Sequence, residues 1–410
     1  MNLKIYLLIL AFLAIGKDFT NAQGCVAVRQ MGGLCINTAD SYNLNKGDFL
    51  IGTNYRYFHS FRHFVGKEEQ HERQNTGGGH DENGNELGNA VNIYSHAVDF
   101  NFSYGLSRRL QMNFTIPYVN NERSQVLRQT SPEPDTFRYS VFADGIGDMR
   151  LSLNYWVFDP ASAPGGNLML GLGVKLPTGR YDATDNQVPQ ADGTKKDFIV
   201  MDQAIQPGDG GLGFAVEAQT FVQLFKNFYG FANGYYLFNP RESNGVYKSP
   251  PTVVKSPVDG TTLGTLYGYN IYASPDQYFM RGGVATSLFH NLSLSLAARW
   301  EGIPAYDAIG GQVAYRRPGY VVAVEPGLAV RAGNHSFTLF VPVNVVRNRI
   351  QSAADIANQD LQNSVVTDPA DYVHVQGDAA FADYSISFGY AYRFGSKAAH
   401  SPATDVMGVK

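Results

Sequence analysis

Twelve stretches of the chain alternate apolar and polar residues, and this pattern limits the fold more than any other feature. In one of them, Leu110, Met112 and Phe114 alternate with Gln111 and Asn113. Successive side chains of a β-strand point to opposite faces, so each stretch predicts a strand with one apolar and one polar face. The predicted strands cover residues 49–61, 92–104, 110–118, 147–158, 168–176, 212–224, 228–238, 277–288, 292–300, 319–331, 337–345 and 383–394.

The connections between these strands alternate in length. Those after the even-numbered strands are short turns, whereas those after the odd-numbered strands run from about 15 to about 40 residues. This alternation predicts an all-β fold: a closed antiparallel transmembrane β-barrel of about twelve strands, with short periplasmic turns and long outer loops. The 25 Tyr and 26 Phe favour two interfacial aromatic girdles. A secreted β-sandwich, the competing fold, accounts for neither feature.

Composition excludes other classes. Charged residues make up 17% of the chain, against about 25% in soluble domains. The mean hydropathy of -0.21 argues against a bundle of membrane-spanning helices. A net charge of -4 argues against a nucleic-acid partner, because such proteins normally carry a basic stripe.

The N-terminus predicts export. Lys4 precedes an apolar run over residues 5–16, and a cut after Ala22 fits a signal peptide of residues 1–22. Residues 23–46 are then a periplasmic arm or plug, residues 47–394 the barrel and residues 395–410 a periplasmic tail. We expect a disulfide between Cys25 and Cys35 in the oxidising periplasm, with a lipid on Cys25 or free thiols as the alternatives.

The polar face of the predicted strands should line the lumen. It carries charges of both signs, which does not indicate selectivity for one ion. Two interpretations remain open: a solvated or partly plugged passage, or internal salt bridges that brace a closed barrel. The charged lumen candidates are Arg56, Asp99, Arg150, Lys175, Glu217, Arg281, Arg299, Glu325 and Arg393.

The sequence contains only weak matches to catalytic and ligand-binding motifs. Residues 208–213 match a dinucleotide-binding glycine pattern, but they enter a strand rather than a helix, so we interpret them as a flexible loop with a close turn. His63, His71 and His80 share the first long loop with several acids, without the spacing of a zinc site. Asp81 begins a poor match to a calcium loop. His96 faces outward without a serine partner. We therefore predict no enzyme, no metal and no cofactor.

Three segments rich in glycine carry a family resemblance: Gly145–Leu151, Gly173–Tyr181 and Gly208–Phe214. They resemble the outer-membrane family labelled "MetA-pathway of phenol degradation", which is distantly related to the long-chain fatty-acid transporter barrels. The resemblance implies a bacterial outer-membrane barrel tied to small apolar or aromatic compounds. The chain departs from the common pattern because 16 residues follow Phe394, the last residue of the final strand.

The sequence thus predicts a porin-like outer-membrane channel for passive uptake of small, apolar or aromatic compounds. The alternative is a structural or interaction barrel that binds a partner through its long outer loops. Expected partners are outer-membrane lipids, a small-molecule solute and the barrel assembly machinery. In the seventh strand, Tyr229, Phe231, Tyr235 and Leu237 are predicted to share the apolar face, and Gly230 and Gly234 to thin the inner face. Together with the glycines of residues 208–213, they predict a kink or lateral opening near strands six and seven, or merely relieve crowding in a curved wall. The opening would involve Phe221, Gly230, Gly234, Tyr236 and Phe238.

Overall fold

The computed structural model describes residues 43–80, 84–133, 135–289 and 291–395, and it confirms the closed antiparallel barrel of twelve strands. The last strand pairs with the first, from Phe49 opposite Phe394 to Phe64 opposite Ala379, which closes the wall. The signal peptide, both cysteines, nearly all of the predicted arm and the tail after Gly395 lie outside the described residues. The wall consists of β1 (Phe49–Val65), β2 (Asn92–Gly105), β3 (Leu110–Gln129), β4 (Asp135–Ile146 and Arg150–Trp156), β5 (Gly166–Lys175), β6 (Gly213–Phe225), β7 (Phe228–Phe238), β8 (Gln277–Phe289), β9 (Leu292–Ile303), β10 (Gly319–Ala332), β11 (His335–Phe340 and Val343–Asn348) and β12 (Ala379–Phe394).

The outer surface of the wall is apolar and rich in aromatic rings. Leu172, for example, is 69% exposed on β5. At the rim that carries the short turns, the Phe49 ring lies 6.5 Å from that of Phe102 and 6.3 Å from that of Phe394, measured between centroids. An apolar belt edged by aromatic rings is the surface that a barrel presents to lipid.

Beyond the membrane belt, β3 and β4 continue as a long hairpin. The predicted long connection after the third strand is therefore mostly paired strand, from Tyr118 opposite Ile146 to Gln129 opposite Asp135. Below this hairpin the register restarts with Thr115 opposite Arg150, so β4 carries one extra residue around Asp148. Such a bulge bends a strand and redirects its side chains.

The other long connections also carry secondary structure. Within the described residues, no helix is long and apolar enough to cross a membrane. Ser352 caps the longer helix through a reciprocal capping box with Asp355. The elements are α1 (His71–Asn75), α2 (Ala353–Asn363), the 3-10 helices Gln203–Ile205 and Pro369–Asp371, and the short strands Glu68–Glu69, Gly77–His80, Glu86–Gly88, Thr184–Asp185, Val188–Pro189, Lys195–Lys196, Ile199–Val200, Ser243–Tyr247, Thr252–Lys255, Thr262–Leu266 and Ile271–Ala273.

One strand has the opposite phase from the prediction. Tyr235 of β7 lies directly opposite the buried Glu217 and is itself buried, so it faces the interior. Gly230 and Gly234, at the alternate positions, lie on the outer face with Tyr236. The prediction that these glycines thin the inner wall is wrong. The reason is that β7 has aromatic residues at both phases, so alternation alone does not define its inner face.

Candidate functional site

The predicted lumen charges meet inside the barrel as ion pairs. Glu325 accepts hydrogen bonds from Arg281 at 2.8 Å and from Arg299 at 3.1 Å, and Arg299 also donates to Glu301 at 2.8 Å. The side chains of Arg281 and Glu325 are 0% and 1% exposed. The sequence left two interpretations of these charges open, a solvated passage or internal salt bridges. The arrangement in this region is that of internal salt bridges.

The remaining lumen candidates also lie on the inner face. Arg150 pairs with Glu217 at 3.0 Å and stacks on the Tyr235 ring, 4.6 Å from its centroid. Asp99 lies opposite Asn54, two residues from Arg56 on the same face of the wall, and both charged residues are buried. Arg393 binds Asp48 near the rim with the short turns.

The three segments that carry the family resemblance converge at the bulge of β4. Asp148 accepts hydrogen bonds from the backbone N–H of Gly179 at 3.0 Å and of Asp209 at 3.1 Å. The Thr178 hydroxyl donates to the carbonyl of Gly147 at 2.9 Å. A cluster of backbone and side-chain bonds therefore joins residues far apart in the chain. We call this cluster the motif junction.

Glycine is needed at the motif junction because backbones approach closely there. A Cβ on Gly179 would lie 2.8 Å from the Gly208 Cα, and one on Gly208 would lie 2.6 Å from the Gly179 carbonyl oxygen. Gly210 has a φ of +79°, which favours glycine. The close turn predicted for residues 208–213 is therefore present, whereas the flexibility predicted with it stays a prediction.

Lys175 joins the motif junction to the wall. Its ammonium lies 3.4 Å from Asp148 Oδ2 and also binds Asp209, and all three side chains are largely buried. The lumen prediction included Lys175 but missed both acids. They lie within the segments that carried the resemblance, and this was the only sequence signal available for them.

Residues 176–212, here called the mouth loop, fold into the barrel's outer mouth. Ile205 is completely buried and packs against inner-face residues of β2 and β4, including Ile93 and Val141. Asn121 on β3 donates to the Ile205 carbonyl at 2.9 Å. This loop therefore fills part of the mouth, and the prediction that residues 23–46 form an arm or plug stays a prediction.

An ion pair fastens the mouth loop to the segment before β10. Arg317 donates two hydrogen bonds of 2.6 Å to the Asp202 carboxylate. Burial acts to raise the pKa of Asp202, but the charge and hydrogen bonds of Arg317 outweigh it and hold that pKa well below its usual range. Sequence reasoning missed this pair because its members are 115 positions apart and neither lies in a motif.

A cavity of about 40 Å³ lies beneath the mouth loop. This space accommodates a few water molecules. Its wall combines charged and apolar groups, so a polar and an apolar part of a small solute could both find partners there. The lining includes Arg150, Lys175, Gln203, Tyr235, Leu237 and Ile303.

The wall is closed where a lateral opening was predicted. The pairs between β6 and β7 run without interruption from Phe214 opposite Phe238 to Gln223 opposite Tyr229. Phe221 faces the interior, where its ring meets that of Trp156 at 6.1 Å, whereas Tyr236 and Phe238 lie outside. These residues therefore do not line one common surface. A transient opening at this place stays a prediction.

The first-loop histidines are separated. His63 belongs to β1, donates from Nδ1 to Asp378 at 2.6 Å and accepts from the Val91 N–H at 2.8 Å, so both ring nitrogens are occupied. His71 lies on α1. Across the described part of the chain, no three His, Cys, Asp or Glu residues are grouped to hold a metal ion. Asp81 lies outside the described residues. His96 contacts the Tyr55 hydroxyl at 2.8 Å on the outer face.

Comparison with solved structures supports the same class of fold. The COG4313 outer membrane channel from Pseudomonas putida F1 aligns with a TM-score of 0.50 and 10% identity, over 86% of this chain and 98% of that chain. A FadL homologue from Pseudomonas aeruginosa (10% identity, 92% and 98% coverage) and the toluene transporter TbuX from Ralstonia pickettii (12% identity, 92% and 99% coverage) align with TM-scores of only 0.38.

These observations define a bacterial outer-membrane β-barrel. The closed wall, the apolar belt and the similarity to the COG4313 channel fold agree on this class and on its location in the outer membrane. No family model matches the chain, and no curated protein matches it. Membership of the family labelled "MetA-pathway of phenol degradation" therefore stays a prediction.

Proposed function

We propose that this protein is an outer-membrane channel for passive uptake of small compounds, with apolar or aromatic molecules as its expected solutes. The observation that carries the proposal is the mouth loop, which apolar packing around Ile205 and the Asp202–Arg317 ion pair hold above a cavity of mixed chemistry. The family resemblance supports the choice of solute. In this proposal the described state is closed, and solute passes when the mouth loop leaves the wall.

The polar interior also favours a channel over a purely structural barrel. Burying an ion pair removes both charges from water, and well-packed apolar residues are often as stable or more stable in its place. A barrel that served only as a scaffold would gain little from the chain of charges around Glu325. The same charges suit a lumen that admits water when the mouth loop moves.

Releasing the mouth loop tests the proposal. Asp202→Asn removes the charge that binds Arg317, so we expect larger or more frequent conductance steps in planar bilayers and faster toluene uptake by proteoliposomes. Asp192→Asn is the matched control, because Asp192 is exposed on the same loop and its carboxylate contacts Thr194. Arabinose uptake measured in parallel separates a general pore from an apolar route.

Two results would contradict the channel. One is that the wild-type protein passes neither solute above the level of empty vesicles and that Asp202→Asn also shows neither conductance nor uptake. The other is an equal response of the Asp192 and Asp202 variants, which would show that the tie to Arg317 does not control passage.

Exposed rings on the outer loops favour a second candidate function, binding of a partner such as a polysaccharide. Tyr247 and Tyr267 are 67% and 73% exposed, outside the barrel wall. Tyr247→Ser combined with Tyr267→Ser should weaken binding of purified surface polysaccharide while leaving solute uptake unchanged. Loss of uptake without loss of binding would contradict this second function.

A further inference from the structure

Two cationic side chains lie against one tyrosine at the outer mouth, and a third cation comes from the wall. The Lys248 ammonium lies 3.9 Å from the centroid of the Tyr315 ring, and the Arg317 guanidinium carbon lies 5.3 Å from the same centroid. Tyr315 is half-buried and its ring meets that of the buried Tyr272 at 5.9 Å. We call Arg123, Lys248, Arg317 and Tyr315 the vestibule site.

Arg123 reaches this place from the wall. On the β3 extension it lies directly opposite Ile93 and Val141, which belong to the buried cluster beneath the mouth loop. Arg123 therefore points into the mouth. Met201, which belongs to the same cluster, directly precedes Asp202, so Arg123 faces the part of the mouth loop that holds the Asp202–Arg317 pair. The charge of Arg123 also acts to lower the pKa of both Asp202 and Lys248.

In the part of the chain that the structure describes, the nearby acids are already bound to arginines, and the positive charges outnumber the negative ones. Among the described residues, neither Lys248 nor Arg123 has a carboxylate oxygen within 4 Å, and the guanidinium of Arg123 donates to the neutral amide of Gln125. The pairs that neutralise the acids are Asp202 with Arg317, Asp355 with Arg349 and Asp378 with Arg73.

A bound anion would stabilise the protonated form of Lys248. Its side chain reaches solvent, yet the surrounding loops partly desolvate it. This desolvation, together with the charge of Arg317, lowers the pKa of the Lys248 ammonium. A bound anion would offset both effects, because an opposite charge nearby stabilises the protonated amine.

We propose that the vestibule site binds a small organic carboxylate, with its charged group between Lys248 and Arg123 and its apolar part beside Tyr315. The cationic side chains attract the negative carboxylate, and the aromatic ring provides contact area for the apolar part of the same molecule. The proposal rests on the proposed channel function and deepens it, because it names anionic solutes as a class that the mouth captures before passage.

The experiment compares benzoate with benzyl alcohol, a neutral molecule of similar size, by titration calorimetry on the full-length protein in detergent. We expect benzoate to bind more tightly. Lys248→Gln and Arg123→Gln should each weaken benzoate binding by about twofold to fivefold and leave benzyl alcohol unaffected, as expected for one partly exposed ion pair. Lys226→Gln, at a short turn on the opposite rim, is the matched control.

The outcomes separate this site from the channel itself. Equal binding of benzoate and benzyl alcohol, or unchanged benzoate binding in both vestibule variants, would overturn the anion site. Toluene uptake by the same preparations reports on the channel independently. If acetate binds as tightly as benzoate and responds equally to both variants, the contribution of Tyr315 is refuted, and with it the proposed class of solute.

Discussion

Glu325 offers a sharp test of how the barrel interior is held together. It is the shared acceptor of two arginines from neighbouring strands, and all three side chains are nearly inaccessible to solvent. Glu325→Gln keeps the shape of the side chain and removes its charge. Arg299 also donates to the carboxylate of Glu301, and Arg281 also donates to the amide oxygen of Asn233.

The magnitude follows from this unequal compensation. Removing one partner of a buried ion pair costs about 3–5 kcal/mol, and the contact between Arg299 and Glu301 places the expected cost near the lower end, at about 3 kcal/mol. Urea unfolding of the protein in lipid vesicles measures the change. Glu133→Gln in an exposed turn is the control and should change the free energy of unfolding by less than about 0.5 kcal/mol.

A second variant checks the physical reason. Arg281→Met combined with Glu325→Gln removes both charges of the closest pair, so most of the lost stability should return. The reasoning is refuted if Glu325→Gln unfolds at the same urea concentration as the wild type. It is also refuted if the double variant is less stable than Glu325→Gln by the full cost of losing Arg281.

Three further predictions concern the loops and the N-terminal segment. Gly208→Ala places a Cβ 2.6 Å from the Gly179 carbonyl oxygen and should loosen the mouth loop and raise conductance, whereas Gly282→Ala, with its nearest atom at 3.7 Å, should not. Burial acts to raise the pKa of Asp378, but the hydrogen bond from His63 and the charge of Arg73 lower it to about 2. Because this pKa is below its ordinary value of 3.8, the contacts of the ionised Asp378 carboxylate with His63 and Arg73 contribute about 2 kcal/mol to the stability of the fold above pH 4. This contribution is lost as pH falls through about 2. Hydrogen exchange near residue 378 should speed up over that interval, and Asp378→Asn should abolish the pH dependence. Mass spectrometry of unreduced protein should find Cys25 joined to Cys35, and a diacyl mass on Cys25 would contradict this.

The sequence was informative wherever the physical cause is local. Alternation of side chains along a strand depends on adjacent residues only, and it located all twelve strands. The same rule failed at β7, where Tyr235 and Tyr236 are neighbouring aromatic residues and only the cross-strand partner Glu217 shows which of them faces inward.

The candidate site depends on contacts between residues distant in the chain. The close approach of Gly179 to Gly208 and the pairing of Asp202 with Arg317 require the fold to be known first. Lys175 was found because it lies on a predicted inner face, but Asp148 lies at a bulge where the alternation breaks. Composition and periodicity carry no information about such contacts.

The phase of β7 changes what a lateral route would require. Gly230 lies on the outer face opposite Val222, and a Cβ there meets only ordinary contacts at 3.5 Å, so Gly230→Val cannot narrow the lumen. Valine favours strands over glycine, and the substitution should therefore hold β7 more firmly in the wall. If aromatic solutes leave between β6 and β7, toluene uptake should fall while arabinose uptake stays unchanged. Ala298→Val, on the outer face of β9, is the control and should affect neither. Equal effects on both solutes would exclude passage between these strands and leave the lumen as the route.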